Sequence, residues 1–342
     1  MSLVVRLTLP DSTTRLAYRG EEEIQITLES EARRRDRGGV DRTRWQLRSD
    51  TLKDHMNGKV CLVTGGTNGI GKATAQALAQ MGATVVIVGR DAQKAEQVAE
   101  EIRTASDNQN VDWLLADLSS QQDIRRLATE FKSKYSQLHV LLNNAGGTFT
   151  TRQLSVDGIE MTFALNHLAY FLLSNLLLDT IKASAPARII NVSSDAHSGG
   201  KIDFENLQGE RSYSSFGPYG NSKLANILFT IELARRLEGT GVTVNALHPG
   251  LTSTGFGKNN PGFLMKIMGI VIPLVARSPE KGAKTSIYLA SSPKVQSITG
   301  KYFVDCKVTQ PAPPAADRAV ARKLWDVSVE MVNLADAVPV MA

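Results

Sequence analysis

The chain has 342 residues, 42% of them hydrophobic, and a formal net charge of +5. That composition supplies a sizeable core and excludes general disorder, and a mild positive charge scattered among acids leaves no footprint for nucleic acid. Its two cysteines, Cys61 and Cys306, are far apart, so each reads as a small core residue in a reducing, cytoplasmic setting and not as part of a disulfide framework.

Residues 1–55 form a charged extension with 11 Lys/Arg and 10 Asp/Glu. No secretory segment is visible, because residues 1–10 are too short for one and Arg6 interrupts them. Leu3, Val5, Leu7 and Leu9 alternate with other residues, as do Ile24, Ile26 and Leu28, which predicts two short strands. Residues 31–50 have almost no apolar periodicity and read as a solvated linker or a frayed helix; the arginines within 33–37 lie beside Glu29, Glu31 and Asp36 as a solvated face.

From residue 57 the pattern changes, and 56–342 reads as a single domain. Apolar runs at 59–64, 84–89, 111–116, 138–143, 187–193, 242–247 and 302–305 alternate with helical stretches. Continuous apolar strands separated by helices predict an α/β fold, a doubly wound parallel sheet of the Rossmann type with about seven strands and helices on both faces. The first helix, 69–81, places Ile70, Ala73, Ala77 and Leu78 on one stripe. The apolar run 161–178 contains Asn166, His167, Ser174 and Asn175, groups costly in a bilayer, so it predicts a buried helix and not a transmembrane segment. A second run, 263–276, carries Lys266 and Pro273 and is too short to span, which leaves peripheral membrane contact open. After the stiff break at 311–314, Val320, Leu324, Val327 and Met331 mark an amphipathic C-terminal helix.

The first chemical motif is Thr64-Gly65-Gly66-Thr67-Asn68-Gly69-Ile70-Gly71, between the first strand and the first helix. Glycines admit a close backbone approach to pyrophosphate, and a helix N-terminus offers free N–H groups to it. At the end of the second strand stand Gly89 and Arg90, where NAD sites commonly carry a carboxylate for the ribose 2′-OH. A guanidinium suits the 2′-phosphate in charge and geometry, which points to NADP(H) over NAD(H). Asp117-Leu118 follows the third strand, Asn144-Ala145-Gly146 the fourth, and Pro249-Gly250 the sixth. Tyr219 and Lys223 stand four apart, on one helical face. A free tyrosine has a pKa near 10, and a neighbouring ammonium favours its phenolate, lowering that value. His167, His197 and His248 lack metal-ligand spacing and read as structural; no metal site is expected.

The Gly-x-x-x-Gly-x-Gly spacing, with Asn144-Ala145-Gly146, Ser194 and the Tyr219–Lys223 pair in register after it, resembles the short-chain dehydrogenase/reductase family. The interval from Ser194 to Tyr219, with the Asn166-His167-Leu168, His248-Pro249-Gly250 and 323–327 stretches, is similar to its retinol-dehydrogenase-like branch. The resemblance implies that Tyr219 is the general acid/base and that Lys223 lowers its pKa and binds the nicotinamide ribose. It further implies that Ser194 holds the substrate oxygen and Asn166 positions a relay water. Cofactor contacts are implied for Gly65, Thr67, Asn68, Gly69, Ile70, Gly71 and Arg90, for Asp117 and Leu118 at the adenine, and for Asn144, Ala145 and Gly146 at the ribose. Pro249, Gly250 and one of Thr252 or Thr254 would meet the nicotinamide half, beneath a lid at 251–279 whose apolar part, 263–276, suits a lipophilic alcohol or carbonyl substrate. The oligomeric state is left open. A catalytically silent NADP(H)-sensing or scaffold protein is the alternative, but such a protein has no need of Ser194, Tyr219 and Lys223 together.

Overall fold

The computed structural model describes residues 4–9, 12–18, 24–27, 55–250 and 278–334. The anticipated lid up to residue 277, its apolar stretch and both Thr252 and Thr254 lie outside the described residues. The chain divides into two compact units, Met1–Ser49 and Asp50–Ala342. The first holds an antiparallel sheet of three strands, β1 (Val4–Leu9), β2 (Ser12–Tyr18) and β3 (Ile24–Thr27), with β2 in the middle. The outer two follow the alternation seen in the sequence. The central one is an addition, since its polar sequence STTRLAY carries no alternation to recognise.

In the second unit, seven apolar runs pair as parallel strands. They are β4 (Val60–Thr64), β5 (Thr84–Gly89), β6 (Val111–Leu115), β7 (Val140–Asn143), β8 (Ala187–Val192), β9 (Val242–His248) and β10 (Lys301–Val304). An eighth strand, β11 (Lys307–Thr309), closes the edge in antiparallel register, Phe303 opposite Val308. The sequence hides it: all three residues are exposed, and the turn before it is only Asp305-Cys306, both at positive φ (47° and 62°). Two consecutive left-handed residues make the tight hairpin turn whose twist matches the strands. Cys306 therefore sits at a half-exposed turn and not in the core as expected, whereas Cys61 is fully buried, with its thiol pushed up to about 12 by burial.

The strand order is β11-β10-β9-β8-β7-β4-β5-β6. Winding reverses between β4 and β7, and in such sheets the ligand crevice lies beyond the carboxyl ends of the strands at that reversal. Alternate residues of each strand feed two cores. Leu62, Val86, Leu141 and Ile189 pack under helices α3 (Gln121–Lys134), α4 (161–176), α6 (Gly217–Arg236) and α8 (Arg318–Met331). Cys61, Val63, Val85 and Leu142 pack under α1 (Gly69–Gln80), α2 (Ala92–Ser106) and α7 (Pro279–Ser291). A short α5 (Leu178–Ala183) follows α4.

Two helical stripes are rotated from their sequence expectation. In α1 the buried residues include Ile70, Thr74, Ala75 and Leu78, with Ala73 and Ala77 only half-buried. In α8 they are Ala321, Leu324, Trp325 and Ser328, with Val320, Val327 and Met331 half-buried. The reason is the same in both. Thr74 Oγ1 donates to Ile70 O (2.8 Å) and Ser328 Oγ to Leu324 O (2.7 Å), so each hydroxyl is satisfied by its own helix and can enter the core. Among the described residues no helix is long and apolar enough to cross a membrane.

Candidate active site

The glycine-rich turn sits at the carboxyl end of β4 and opens α1. Gly65 is left-handed (φ 63°), and a Cβ on Gly71 would lie 2.3 Å from Gly65 O. The turn is therefore folded too tightly for a side chain at either position. Asn68 caps α1, its Oδ1 accepting from Gly69 N (2.9 Å). The N–H groups of Ile70 and Gly71 fall in the first helical turn, which lacks intrahelical acceptors. Thr64 and Asn144 brace this turn against β7. Asn144 Nδ2 donates to Thr64 O (2.8 Å), while Thr64 Oγ1 accepts from Asn144 N (2.8 Å) and Ala145 N (3.1 Å).

Thr67 closes on the end of β5: a Cβ on Gly89 would fall 2.6 Å from Thr67 Cγ2. A side chain at position 89 would have to displace the Thr67 methyl. Arg90 beside it is exposed, and Asp91 is engaged as the N-cap of α2, accepting from Lys94 N (3.0 Å). Asp117 Oδ1 accepts from both Ser119 N (2.9 Å) and Ser119 Oγ (2.7 Å), and Leu118 turns its side chain into the core.

Asn166, Ser194, Tyr219 and Lys223 converge at the carboxyl ends of β7, β8 and β9. Asn166 lies in α4 on a π-helical turn, Ala164–Leu168, which sets it against the loop after β7. Asn166 Oδ1 accepts from Gly147 N (2.8 Å), and Nδ2 donates to Gly147 O (2.9 Å) and Ser222 Oγ (3.0 Å). Both of its amide hydrogens are thus taken by protein acceptors. Ser222 Oγ donates in turn to Tyr219 O (2.8 Å), so Asn166 is tied to the first turn of α6. Ser194 caps the 3-10 turn Asp195–Gly199, accepting from Ala196 N (3.2 Å), and is hydrogen-bonded to the Tyr219 phenol. That approach depends on Gly220, where a Cβ would stand 2.9 Å from Ala196 O.

Lys223 is buried, and Nζ donates to Val192 O (3.0 Å), 5.5 Å from the centre of the Tyr219 ring. Burial pushes it down from 10.5 to about 7. Tyr219 moves opposite to the sequence expectation: burial pushes it up to about 12, against the lowering effect of Ser194. Loss of water around the phenolate outweighs a lysine whose own charge burial disfavours.

His167 is a core residue between Asn226 Oδ1 (3.4 Å) and Ser328 Oγ (3.0 Å), lowered to about 4 by burial. His197 links Ser194 O (2.7 Å) to Ala312 N (3.0 Å), and His248 Nδ1 accepts from Asp195 N (3.1 Å). Pro249 and Gly250 are half-buried at the end of β9. Sequence reasoning gave no role to Ser222, Val192 O or Thr64. Two of them left a trace there: Thr64 opens the glycine-rich motif, and Ser222 lies between Tyr219 and Lys223.

A family model for short chain dehydrogenases matches residues 59–262. Retinol dehydrogenase 14 of Homo sapiens is 45% identical over 294 residues, covering 82% of this chain and 88% of its own. Retinol dehydrogenase 11 of Homo sapiens is 45% identical over 279 residues, covering 82% and 87%. Among solved structures, an uncharacterized protein from Mycobacterium paratuberculosis matches with TM-score 0.67 at 30% identity, covering 85% of this chain and 98% of its own. The Pseudomonas aeruginosa RhlG/NADP active-site complex matches with TM-score 0.58 at 27% identity, covering 77% and 98%.

Proposed function

The chain belongs to the short-chain dehydrogenase/reductase family, in its retinol-dehydrogenase-like branch, and from that premise we propose an NADP(H)-dependent enzyme interconverting a lipophilic alcohol and its aldehyde or ketone. The observation that carries this reading is the junction of Tyr219, Ser194 and Lys223 beside the crevice where the sheet reverses.

The residues present fit a nicotinamide dinucleotide. The tight glycine turn brings backbone N–H groups to the start of α1, where a pyrophosphate is favoured. Lys223 carries three donors and donates to one protein acceptor, leaving it able to hold ribose hydroxyls. Arg90 is free to meet a 2′-phosphate, while Asp91 is drawn away by its capping role. The bound cofactor supplies or accepts the hydride. Tyr219 Oη gives the proton to, or takes it from, the substrate oxygen, and Ser194 Oγ hydrogen-bonds that same oxygen. Asn166 locks the loop after β7 to α6, so that Tyr219 and Lys223 keep their spacing. A phenol held protonated at about 12 suits the direction of carbonyl reduction. The names of the retinol dehydrogenase relatives support a lipophilic substrate.

The test is NADPH consumption across a homologous series of aliphatic aldehydes and ketones. Rate constants kcat/KM should rise with chain length, by up to about 0.8 kcal/mol for each added methylene, until the pocket fills. Tyr219→Phe should cost at least ~100-fold in kcat while NADPH still binds, because only the proton carrier is deleted. A variant retaining more than a few per cent of wild-type kcat, or a wild type preferring short polar carbonyls, would overturn the proposal. We assign catalysis to residues 56–342 alone, so a chain lacking 1–55 should give the same profile.

A further inference from the structure

The segment between Ser194 and Tyr219 is fastened to the loop after β7 and to the start of α4 by a compact latch. Tyr213 Oη lies 2.9 Å from Phe149 O and 3.0 Å from Glu160 Oε1. Glu160 is 1% exposed and caps the start of α4, accepting from Thr162 N (2.9 Å) and Phe163 N (2.8 Å). Its own N–H donates to Gln208 Oε1 (3.2 Å), and Gln208 O accepts from Arg152 Nε (2.9 Å). The Tyr213 ring is seated by the turn at Gly209, where a Cβ would lie 2.6 Å from Tyr213 Cδ2.

The latch bears on the site through two short paths. One is the loop after β7, pinned at Gly147 by Asn166 and two residues later, at Phe149, by Tyr213. The Phe149 ring packs over Gly147 itself. The other is the N-terminus of α4, where the Glu160 cap stands six residues ahead of Asn166. The loop after β7 does meet the glycine turn, through Asn144 Nδ2 to Gly65 O (3.3 Å), but the latch grips it farther along, at Phe149. A buried acidic side chain fully used by two backbone N–H groups and a tyrosine is a costly way to hold a surface loop, and it fixes geometry sharply.

We propose that Tyr213 is a positioning residue for the substrate. Acting through Glu160 and Phe149, it makes the segment 200–216 a fixed wall of the substrate chamber and sets carbonyl recognition without affecting cofactor binding. This rests on the oxidoreductase reading given above.

Tyr213→Phe removes only the hydroxyl and keeps the ring on Gly209. With a carbonyl accepted by the wild type, KM should rise roughly tenfold with kcat changed less than about threefold. The Kd for NADPH, followed by nucleotide fluorescence, should stay within about twofold of the wild type. Glu160→Gln should raise KM similarly, and the double variant should be no worse than either single one, because the two groups act as a unit. A brace with no bearing on substrate would lower Tm and leave KM alone; that result overturns the inference, as would additive effects or an equal loss of NADPH affinity. A wild type that reduces no carbonyl defeats the oxidoreductase reading, and this inference with it. A wild type that turns over carbonyls, with Tyr213→Phe at the same KM, defeats this inference only.

Discussion

Replacing Lys223 by methionine should make the protein more stable and far less active, and the gain in stability should depend on pH. Nζ is buried against one carbonyl, and burial holds its pKa at about 7, against 10.5 in water. Each pKa unit corresponds to about 1.4 kcal/mol, so the buried ammonium costs the folded state about 3–5 kcal/mol at acidic pH. The sign follows from linkage. Between about pH 7 and 10.5 the unfolded chain binds more protons than the folded one, so the wild type gains stability as pH rises through that window. Methionine fills a similar volume without charge, and Val192 O keeps the Asn226 Nδ2 donor at 3.4 Å. Urea denaturation without nucleotide should show the variant more stable by about 3–5 kcal/mol near pH 6, with the difference shrinking by about 2–3 kcal/mol near pH 9. Carbonyl reduction by the same variant should fall at least ~100-fold. A stability difference that is the same at both pH values, or a variant less stable than the wild type near pH 6, would refute the reasoning.

Arg90→Ala should weaken NADPH by about 1.5–3 kcal/mol and leave NADH nearly unchanged, measured as Kd for each; equal losses would remove the 2′-phosphate assignment. With Tyr219 held at about 12, kcat/KM for alcohol oxidation should climb with pH between about 6 and 9, approaching tenfold per unit, because the base form is scarce throughout that range. Carbonyl reduction should show no fall attributable to loss of the Tyr219 proton over the same range, and an oxidation plateau already below neutral pH would contradict the raised phenol. Cys306→Gly should raise stability by about 1 kcal/mol by relieving a left-handed non-glycine residue at φ 62°, with activity unchanged; a lower Tm would show that the Cys306 side chain contributes more than its backbone costs.

The sequence by itself determined the layering and marked the candidate site positions. Apolar runs such as 84–89 can only be buried on both faces, and alternation with helices makes the sheet parallel. The glycine turn after β4 and the Tyr219–Lys223 spacing are visible because they obey local rules, strand-to-helix turn geometry and the helical repeat. What depends on distant partners, or on how a buried polar side chain is satisfied, was invisible. The edge strand β11 has no apolar signature of its own. The stripes of α1 and α8 are rotated because Thr74 and Ser328 satisfy their hydroxyls on their own helices, which apolar periodicity does not register. Asn166 reaches Ser222 across 56 residues, Lys223 reaches Val192 O across 31, and Tyr213 reaches Glu160 across 53. No pattern of residue types encodes which backbone carbonyl a lysine will meet. Proximity of a lysine and a tyrosine in sequence suggested a lowered phenol, but the tertiary structure decided the direction. It removes both groups from water, and desolvation, which exists only once the core has closed, outweighs the charge that the spacing brings near.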